Sequence, residues 1–379
     1  VLQAYLPDAA PALDELAAFS AARVAAGGAP LKLRLVKGAN LSMERVEAEL
    51  RGWPQAPVTS KPAADAAYLA RIEQALGTTG LRLGVGSHNL FAIAHAHLLA
   101  RRLGRTGDVD IEMLAGMAPA EARVVARDVG GVLLYVPVVE PEAFDAAIAY
   151  LVRRFEENAA PGHFLRVIDR LTEPATFMAE DAAYRAAVRH VTDSLPPTNR
   201  TQDRTHPPAL ASGAFVNEPD TDPTAPANAE WVDDVRRIDP GPPVTELVTD
   251  PSVVDERVAA ARNAGRAWAT LDPAARADMV ARVGDELARR RAELVGAMVH
   301  EAGKPPAEAD TEVSEAIDFA RYYAERSREL SAVDGARFEP HGLVLVAAPW
   351  NFPVAIPSGG ALAALAAGSA VVLKPAPET

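Results

Sequence analysis

Several short stretches of this chain carry more chemistry than a structural strand or helix needs. Arg34-Leu35-Val36-Lys37-Gly38-Ala39 closes an apolar run that reads as a β-strand, so two cations and a glycine stand at its carboxyl end. A cationic pair there suits an anionic or electron-rich ligand, such as a flavin or a phosphate, and Gly38 lets a ligand approach the backbone. The same residues also read as a strand ending in solvated charges. Tyr150, Arg153, Arg154 and Glu157 recur at helical spacing, which gathers two guanidiniums and a phenol on one face. That face can clamp a carboxylate bidentately, or it can be a surface helix with Arg–Glu pairs along it. Gly86-Ser87-His88-Asn89 ends another strand. His88 there could meet a phosphate or serve as acid or base, and Ser87 or Asn89 could cap the next helix; neither reading excludes the other. His95 and His97 stand two apart inside a helix, a spacing that does not face one metal, so they read as structural and no metal site is expected. In Pro349-Trp350-Asn351-Phe352-Pro353 the Asn351 amide can donate to a developing oxyanion, while the two prolines alone would make a turn. Lys374 closes the next strand, at the end of an α/β sheet where a nucleotide binds.

These residues need elements to position them. Strands are expected at Val1–Leu6, Leu31–Val36, Leu81–Val85, Val109–Leu114 and Val132–Val136. Helices are expected between them over Ala9–Ala26, Lys61–Leu76, Leu90–Leu103 and Pro119–Val129, and after the last strand over Glu142–Glu157. Alternating strand and helix means βαβ units and a parallel sheet. Five such units with reactive-looking residues at strand ends favour a (β/α)₈ barrel, of which about three strands would lie upstream of Val1. The opening inside a strand and the abrupt end at Thr379 suggest a piece of a longer chain.

Eleven of the 31 prolines fall between about residues 196 and 251, and from Phe215 to Glu256 eleven acidic residues face two arginines. This stretch reads as an acidic connector, extended rather than packed. Helical patterns resume at Ser252. One helix starts at Asp272-Pro273 and ends at Gly303, and another runs from about Ala307 to Leu330. Leu343–Ala348, Val354–Ala367 and Ala370–Lys374 then form a βαβ crossover. The expected domains are therefore residues 1–165, the C-terminal part of a barrel; 166–245, a helical segment and connector; and 246–379, helices followed by the first βαβ unit of a Rossmann-like domain.

The 379 residues suffice for two or three domains, and 49% hydrophobic content supports a sizeable core. The net charge of −13 argues against a nucleic-acid surface. The absence of cysteine excludes disulfides, thiolate metal sites and a cysteine nucleophile in this chain, and fits a reducing compartment. No run of apolar residues is long enough to span a membrane, and no secretory signal is present.

The ordered set Gln3–Leu6, Leu33–Ala39, Ser60–Pro62, Ser87–Asn89, Glu112–Met117, Tyr135–Val138 and Tyr150–Asn158 resembles the proline dehydrogenase barrel. Phe215–Asp222 resembles the linker into a second enzyme. Glu301–Lys304, Pro349–Pro353 and Lys374–Ala376 resemble aldehyde dehydrogenases. Nearly the whole chain is thus similar to the proline utilization A family, which joins proline dehydrogenase to L-glutamate γ-semialdehyde dehydrogenase. The resemblance implies FAD-dependent oxidation of L-proline to 1-pyrroline-5-carboxylate, then NAD-dependent oxidation of the semialdehyde to glutamate. It implies that Arg34 lies near the flavin N5, and that Gln3, Lys37, Gly38 and Ala39 contact FAD. Ser87, His88 and Asn89 would meet the pyrophosphate and adenosine end, with Glu157 at the ribose and Phe164 also at the cofactor. Arg153 and Arg154 would hold the proline carboxylate in a pocket lined by Leu114, Tyr135 and Tyr150. Asn351 would be the oxyanion donor and Lys374 would touch the NAD ribose. A membrane quinone as electron acceptor, a homo-oligomer, and a cytoplasmic enzyme peripheral to the inner membrane complete what the family implies; nothing here resembles the DNA-binding module that some family members carry, and no nucleic-acid partner is expected.

The chain departs from the family where Asn40 and Leu41 replace aromatic residues beside the flavin, and where Pro377 follows Lys-Pro-Ala in place of Glu. The first barrel strands, the aldehyde dehydrogenase cysteine and its general-base glutamate are not in this stretch, which leaves a competing expectation: a non-catalytic piece serving only interaction or structure.

Overall fold

The computed structural model describes residues 1–159, 162–191, 197–206, 214–242, 247–330 and 332–379, except for the side chain of Glu157. The chain divides into two compact units, residues 1–48 with 54–199, and 49–53 with 200–379.

In the first unit, β1 (Leu2–Gln3), β2 (Leu31–Val36), β3 (Leu81–Gly86), β4 (Val109–Leu114) and β5 (Val132–Tyr135) form one parallel sheet in the order of the sequence. No strand order reverses, which is the topology of consecutive barrel strands and not of a doubly wound sheet. The connecting helices are α1 (Ala9–Ala25), α2 (Leu41–Arg51), α3 (Lys61–Gly77), α4 (Leu90–Arg102) and α5 (Pro119–Val129). After β5 come α6 (Phe144–Ala159) and α7 (Pro174–Val191). Leu33, Leu35, Leu81, Leu83, Val85, Ile111 and Met113 point to the helix side and fill the core. The alternate residues Lys32, Arg34, Asp110 and Glu112 therefore share the opposite face. α3 is buried along most of its length because it packs on the sheet and also against α7.

β1 is shorter than the expected Val1–Leu6. Its pairing with β2 continues only through Ala4 N–H to the Val36 carbonyl and Tyr5 N–H to the Lys37 carbonyl, both at 2.9 Å, before the chain turns into α1. The ring of Tyr5 then fills the space beside Gly38: a Cβ there would stand 2.4 Å from it, and φ at Gly38 is +140°. Glycine at this position is thus required by Tyr5, rather than only by an approaching ligand.

The second unit contains α8 (Pro226–Val235), α9 (Pro251–Ala269), α10 (Pro273–Arg289), α11 (Arg291–Glu301), α12 (Pro306–Leu330), β6 (Leu343–Val346), α13 (Ala355–Ala366) and β7 (Ala370–Leu373). β6 and β7 pair in parallel around α13. α12 is the spine: Ala309, Val313 and Ile317 pack against Trp231, Val235 and Val295, while Ala320 and Ala324 pack against Ala277, Val280 and Leu362. The expected single helix from Pro273 to Gly303 breaks at Arg290, and the Arg291 side chain that follows is buried and pairs with Asp310 at 2.7 Å.

The connector differs from the extended, unpacked segment expected from its composition. Of it, residues 196, 207–213 and 243–246 lie outside the described residues. The described part of the stretch from Arg200 to Asn228 is held by buried ion pairs and hydrogen bonds, while Asp233, Asp234, Asp239 and Asp250 beyond it remain exposed. Arg200 pairs with Asp222 at 3.0 Å, Glu218 takes Arg321 at 2.8 Å, and Asp310 accepts from the Thr221 N–H at 2.7 Å and its hydroxyl at 2.6 Å. Glu218 and Asp222, which look solvated in sequence, are instead matched by Arg321, Arg291, Arg204 and Arg200.

Candidate functional sites

On the face of the sheet opposite the helices, charged side chains take the place of the branched apolar residues that usually fill a barrel. Glu112 on β4 is 1% exposed. Its carboxylate lies 3.0 Å from Arg34 Nε and 3.1 Å from Lys32 Nζ, and Lys32 also reaches Asp110 at 2.8 Å. Burial works against the Lys32 charge, yet Asp110 and Glu112 together raise its pKa. The Arg34 guanidinium lies over Tyr135 of β5, with Cζ 3.5 Å from the ring centroid. Arg34 and Tyr135 are therefore brought together across β3 and β4, and Leu114 ends β4.

A second group gathers at the carboxyl ends of β2 and β3. Lys37 and Lys61 both pair with Asp65, Lys61 at 2.8 Å. Burial would raise Asp65, but the two lysines hold its carboxyl below the usual range. His88 accepts from the Leu114 N–H at Nε2 at 3.1 Å, so its proton is on Nδ1, which is buried with no hydrogen-bond partner among the described residues. Burial lowers the His88 pKa. His163, beside the buried Phe164, is pushed down to about 4 by burial and by Lys37, His88 and Lys61. Burial is the larger cause of this shift, and the two lysines add to it. Ser87 and Asn89 have local duties there: Asn89 caps α4 through Phe91 N–H at 3.0 Å, and Ser87 Oγ accepts from Asn89 N–H at 3.0 Å. Gln3 pairs in register with Val36, and Ala39 follows Gly38 in the loop into α2.

On α6, Arg154 stands 5.0 Å from the Tyr150 ring centroid, and an Arg153 guanidinium nitrogen lies 3.7 Å from Met43 Sδ. Phe144, Ile148, Leu151, Val152 and Phe155 on the same helix are exposed. The side chain of Glu157, the remaining member of the expected face, lies outside the described residues.

In the second unit, Glu312 is 2% exposed and accepts from the Val354 N–H at 2.7 Å and the Ala355 N–H at 3.1 Å. It thereby caps α13 and fixes the end of the Pro349–Pro353 loop. Lys304 pairs with Glu312 and sits 4.3 Å from the Phe352 ring centroid. Asn351 is exposed beside this clamp, and Lys374 is exposed at the end of β7. The positive end of α13 is already occupied by the chain's own carboxylate, and Lys374 is exposed at this sheet end.

Sequence reasoning missed Lys61, Asp65, Glu112, His163, Lys304 and Glu312 as members of these sites. For Glu112 a signal existed: Asp110 and Glu112 alternate as Lys32 and Arg34 do, two apart on strands of one sheet. Among the described residues no group of three or more His, Cys, Asp or Glu could hold a metal ion, and no helix is long and apolar enough to cross a membrane.

Residues 1–167 match the family model described as proline dehydrogenase, and residues 244–379 that of the aldehyde dehydrogenase family. The bifunctional protein PutA of Escherichia coli (strain K12) is 32% identical over 387 residues, covering 92% of this chain and 29% of that protein. The 1-pyrroline-5-carboxylate dehydrogenase of Geobacillus sp. (strain WCH70) is 42% identical over 124 residues, covering 30% of this chain and 24% of that protein. Among solved structures, proline utilization A from Corynebacterium freiburgense is 45% identical with a TM-score of 0.80, covering all of this chain and 36% of that one. Proline utilization A from Bdellovibrio bacteriovorus is 30% identical with a TM-score of 0.77, covering all of this chain and 42% of that one. The chain thus spans less than half of each of these relatives. With a proline dehydrogenase segment and an aldehyde dehydrogenase segment in this order, it is a PutA-type segment of the bifunctional proline utilization A family.

Proposed function

We propose that the protein to which this segment belongs converts L-proline to glutamate in two oxidations. L-Proline is oxidised to 1-pyrroline-5-carboxylate, water opens that ring to L-glutamate γ-semialdehyde, and the semialdehyde is oxidised to glutamate. When bound, FAD would supply the two-electron acceptor for the first oxidation and NAD the hydride acceptor for the second. The bifunctional relatives favour this over a non-catalytic piece. The domain reading that goes with it is residues 1–165 for the barrel, 166–245 for the helical segment and connector, and 246–379 for the dehydrogenase part.

The observation that carries the reading is the pair of lysines, Lys37 and Lys61, beside the neutral His88 and His163 at the strand ends. A His88 Nδ1–H buried without a hydrogen-bond partner among the described residues, next to two lysines, is what an anionic cofactor would satisfy. In this reading Lys37, Ser87, His88 and Asn89 hold the FAD pyrophosphate and adenosine end. Gln3, Gly38 and Ala39 line it through the backbone, and Glu157 and Phe164 complete it. Arg34 presents its guanidinium to the flavin ring and stabilises negative charge there. Arg153 and Arg154 bind the proline carboxylate, with Leu114, Tyr135 and Tyr150 as walls. Asn351 donates to the oxyanion of the second oxidation, and Lys374 binds the NAD ribose. A membrane quinone as electron acceptor, a homo-oligomeric state and a cytoplasmic site peripheral to the inner membrane belong to the same proposal.

The test is anaerobic stopped-flow reduction of the flavin by proline in the full-length protein, wild type against Arg34→Met. Slower reduction with an intact fold supports the assignment. Wild-type kinetics would overturn it.

A further inference from the structure

The meeting of Arg34 and Glu112 is unusual in its geometry. They stand on β2 and β4, with β3 between them. Neighbouring strands lie about 4.8 Å apart, so side chains two strands away must cross roughly 10 Å over the intervening one. Here the intervening strand has no side chains in the way. In register, Arg34 stands beside Gly84, and Gly86 beside Glu112. A Cβ on Gly84 would fall 2.1 Å from Glu112 Oε1, and one on Gly86 would fall 3.0 Å from Val36 and 3.5 Å from Arg34 Nε. The two glycines make a trough across β3 that the carboxylate and the guanidinium fill.

The guanidinium is consequently flanked on two sides. A Glu112 oxygen lies 3.0 Å from its Nε as an ion pair, without the alignment of a hydrogen bond, and its Cζ sits 3.5 Å from the Tyr135 ring centroid. A group held between a buried carboxylate and a ring has less room to move than one in solvent. Lys32 pulls the same carboxylate from the other side at 3.1 Å, which anchors Glu112 toward the barrel interior. Nothing in the reading of Arg34 as the flavin-facing group requires any of this, because an exposed arginine could also reach a bound ring.

We propose that Glu112 is a positioning residue for Arg34: across the Gly84–Gly86 trough it sets the plane and reach of the guanidinium before any cofactor is bound. The inference rests on the proposed flavin role of Arg34. It assigns Glu112 no contact with substrate or cofactor.

The experiment uses the full-length flavoprotein with four variants: Arg34→Met, Glu112→Gln, Gly84→Ala and Lys32→Met/Glu112→Gln. Three quantities are read: the rate of flavin reduction by proline, KM for proline, and the flavin midpoint potential. Misplacement of a reacting-site group by about 1 Å costs up to about 100-fold. Glu112→Gln and Gly84→Ala are therefore expected to slow reduction by about 10- to 100-fold with little change in KM. Gly84→Ala is informative because it removes no charge and only displaces the carboxylate. Glu112→Gln also removes an anion near the ring, so its midpoint potential should move positive, whereas a role confined to folding would leave the potential where it is. If Glu112→Gln does not fold, the double variant decides, since it removes one cation along with the anion. Slow reduction by a folded double variant supports positioning, and wild-type reduction means that Glu112 only balances Lys32 and overturns the proposal. Wild-type reduction in Glu112→Gln or Gly84→Ala, with Arg34→Met slow, overturns positioning alone. Wild-type reduction in Arg34→Met overturns the flavin reading beneath it.

Discussion

His163 makes the electrostatics of the barrel unit measurable without any ligand. Its pKa is held at about 4 by burial and by Lys37, His88 and Lys61. In the unfolded chain the same side chain titrates near 6.5, as an unperturbed histidine does. Between these two values the unfolded chain carries a proton that the folded chain does not. Stability therefore rises with pH across this window, and it is lost as pH falls from about 6.5 to about 4. Carried to completion, a displacement from 6.5 to about 4 corresponds to about 3 kcal/mol at 1.36 kcal/mol per pH unit. The ring is only partly buried, and solvent screening brings the expected contribution down to about 1–2 kcal/mol. His88 is also depressed by burial and acts in the same direction, so the wild-type curve alone does not isolate His163. Asp65 is depressed too, but its contribution is present above its unfolded value of 3.8 and lost only below it, outside this window. The assay is denaturant unfolding at pH 7.0, 5.5 and 4.5, wild type against His163→Gln, with the difference between the two proteins as the readout. The variant should gain relative to wild type by about 1–2 kcal/mol as pH drops through the window. A difference independent of pH would mean that burial and the neighbouring Lys37 and Lys61 do not hold His163 neutral in the folded chain.

Other outcomes follow from the remaining sites. Arg153→Met and Arg154→Met in the full-length enzyme should each raise KM for proline about 10- to 150-fold, because a charge-assisted pair contributes roughly 1.5–3 kcal/mol to ground and transition state alike; wild-type KM in both would make α6 an ordinary surface helix. Glu312→Ala frees two amide donors and leaves Lys304 without its carboxylate, so it should cost about 3–5 kcal/mol in a chemical-denaturation midpoint, and Glu312→Gln, which keeps an acceptor, should cost less. A loss below about 1 kcal/mol for the alanine variant would show that the clamp carries no weight.

What the sequence disclosed was local, and what it concealed was the pairing of distant residues. β2, β4 and α5 start and stop where alternation, Pro119 at the helix start and the left-handed Gly130 at its end place them. Strand order also followed, because helices of this length between strands leave a parallel neighbour as the simple connection. The Asn89 cap was foreseeable for the same reason: its partners are two and three residues away. The trough at Gly84 was not, because its meaning depends on two side chains from flanking strands. Nor was the break at Arg290, since the apolar spacing runs on through Leu294 while the buried Arg291 pairs with Asp310 on another helix. The connector misled for a related reason. Composition describes an acidic, proline-rich segment correctly, but it does not say that Arg200 and Arg204 within it, and Arg291 and Arg321 beyond it, pair with its carboxylates.

That convergence has a consequence in time. The partners of the connector on α12 lie 89 to 110 residues further along the chain. During synthesis at about 5–20 residues per second, Glu218 and Thr221 leave the ribosome roughly 5–20 s before the residues that hold them. For that interval the barrel strands already have their neighbours, while the connector is a charged tether whose arginines and carboxylates are all in water. Its burial is thus a late event, completed only when α12 emerges, and a pause or a chain break before residue 310 would leave the tether open to proteases although its own sequence was intact.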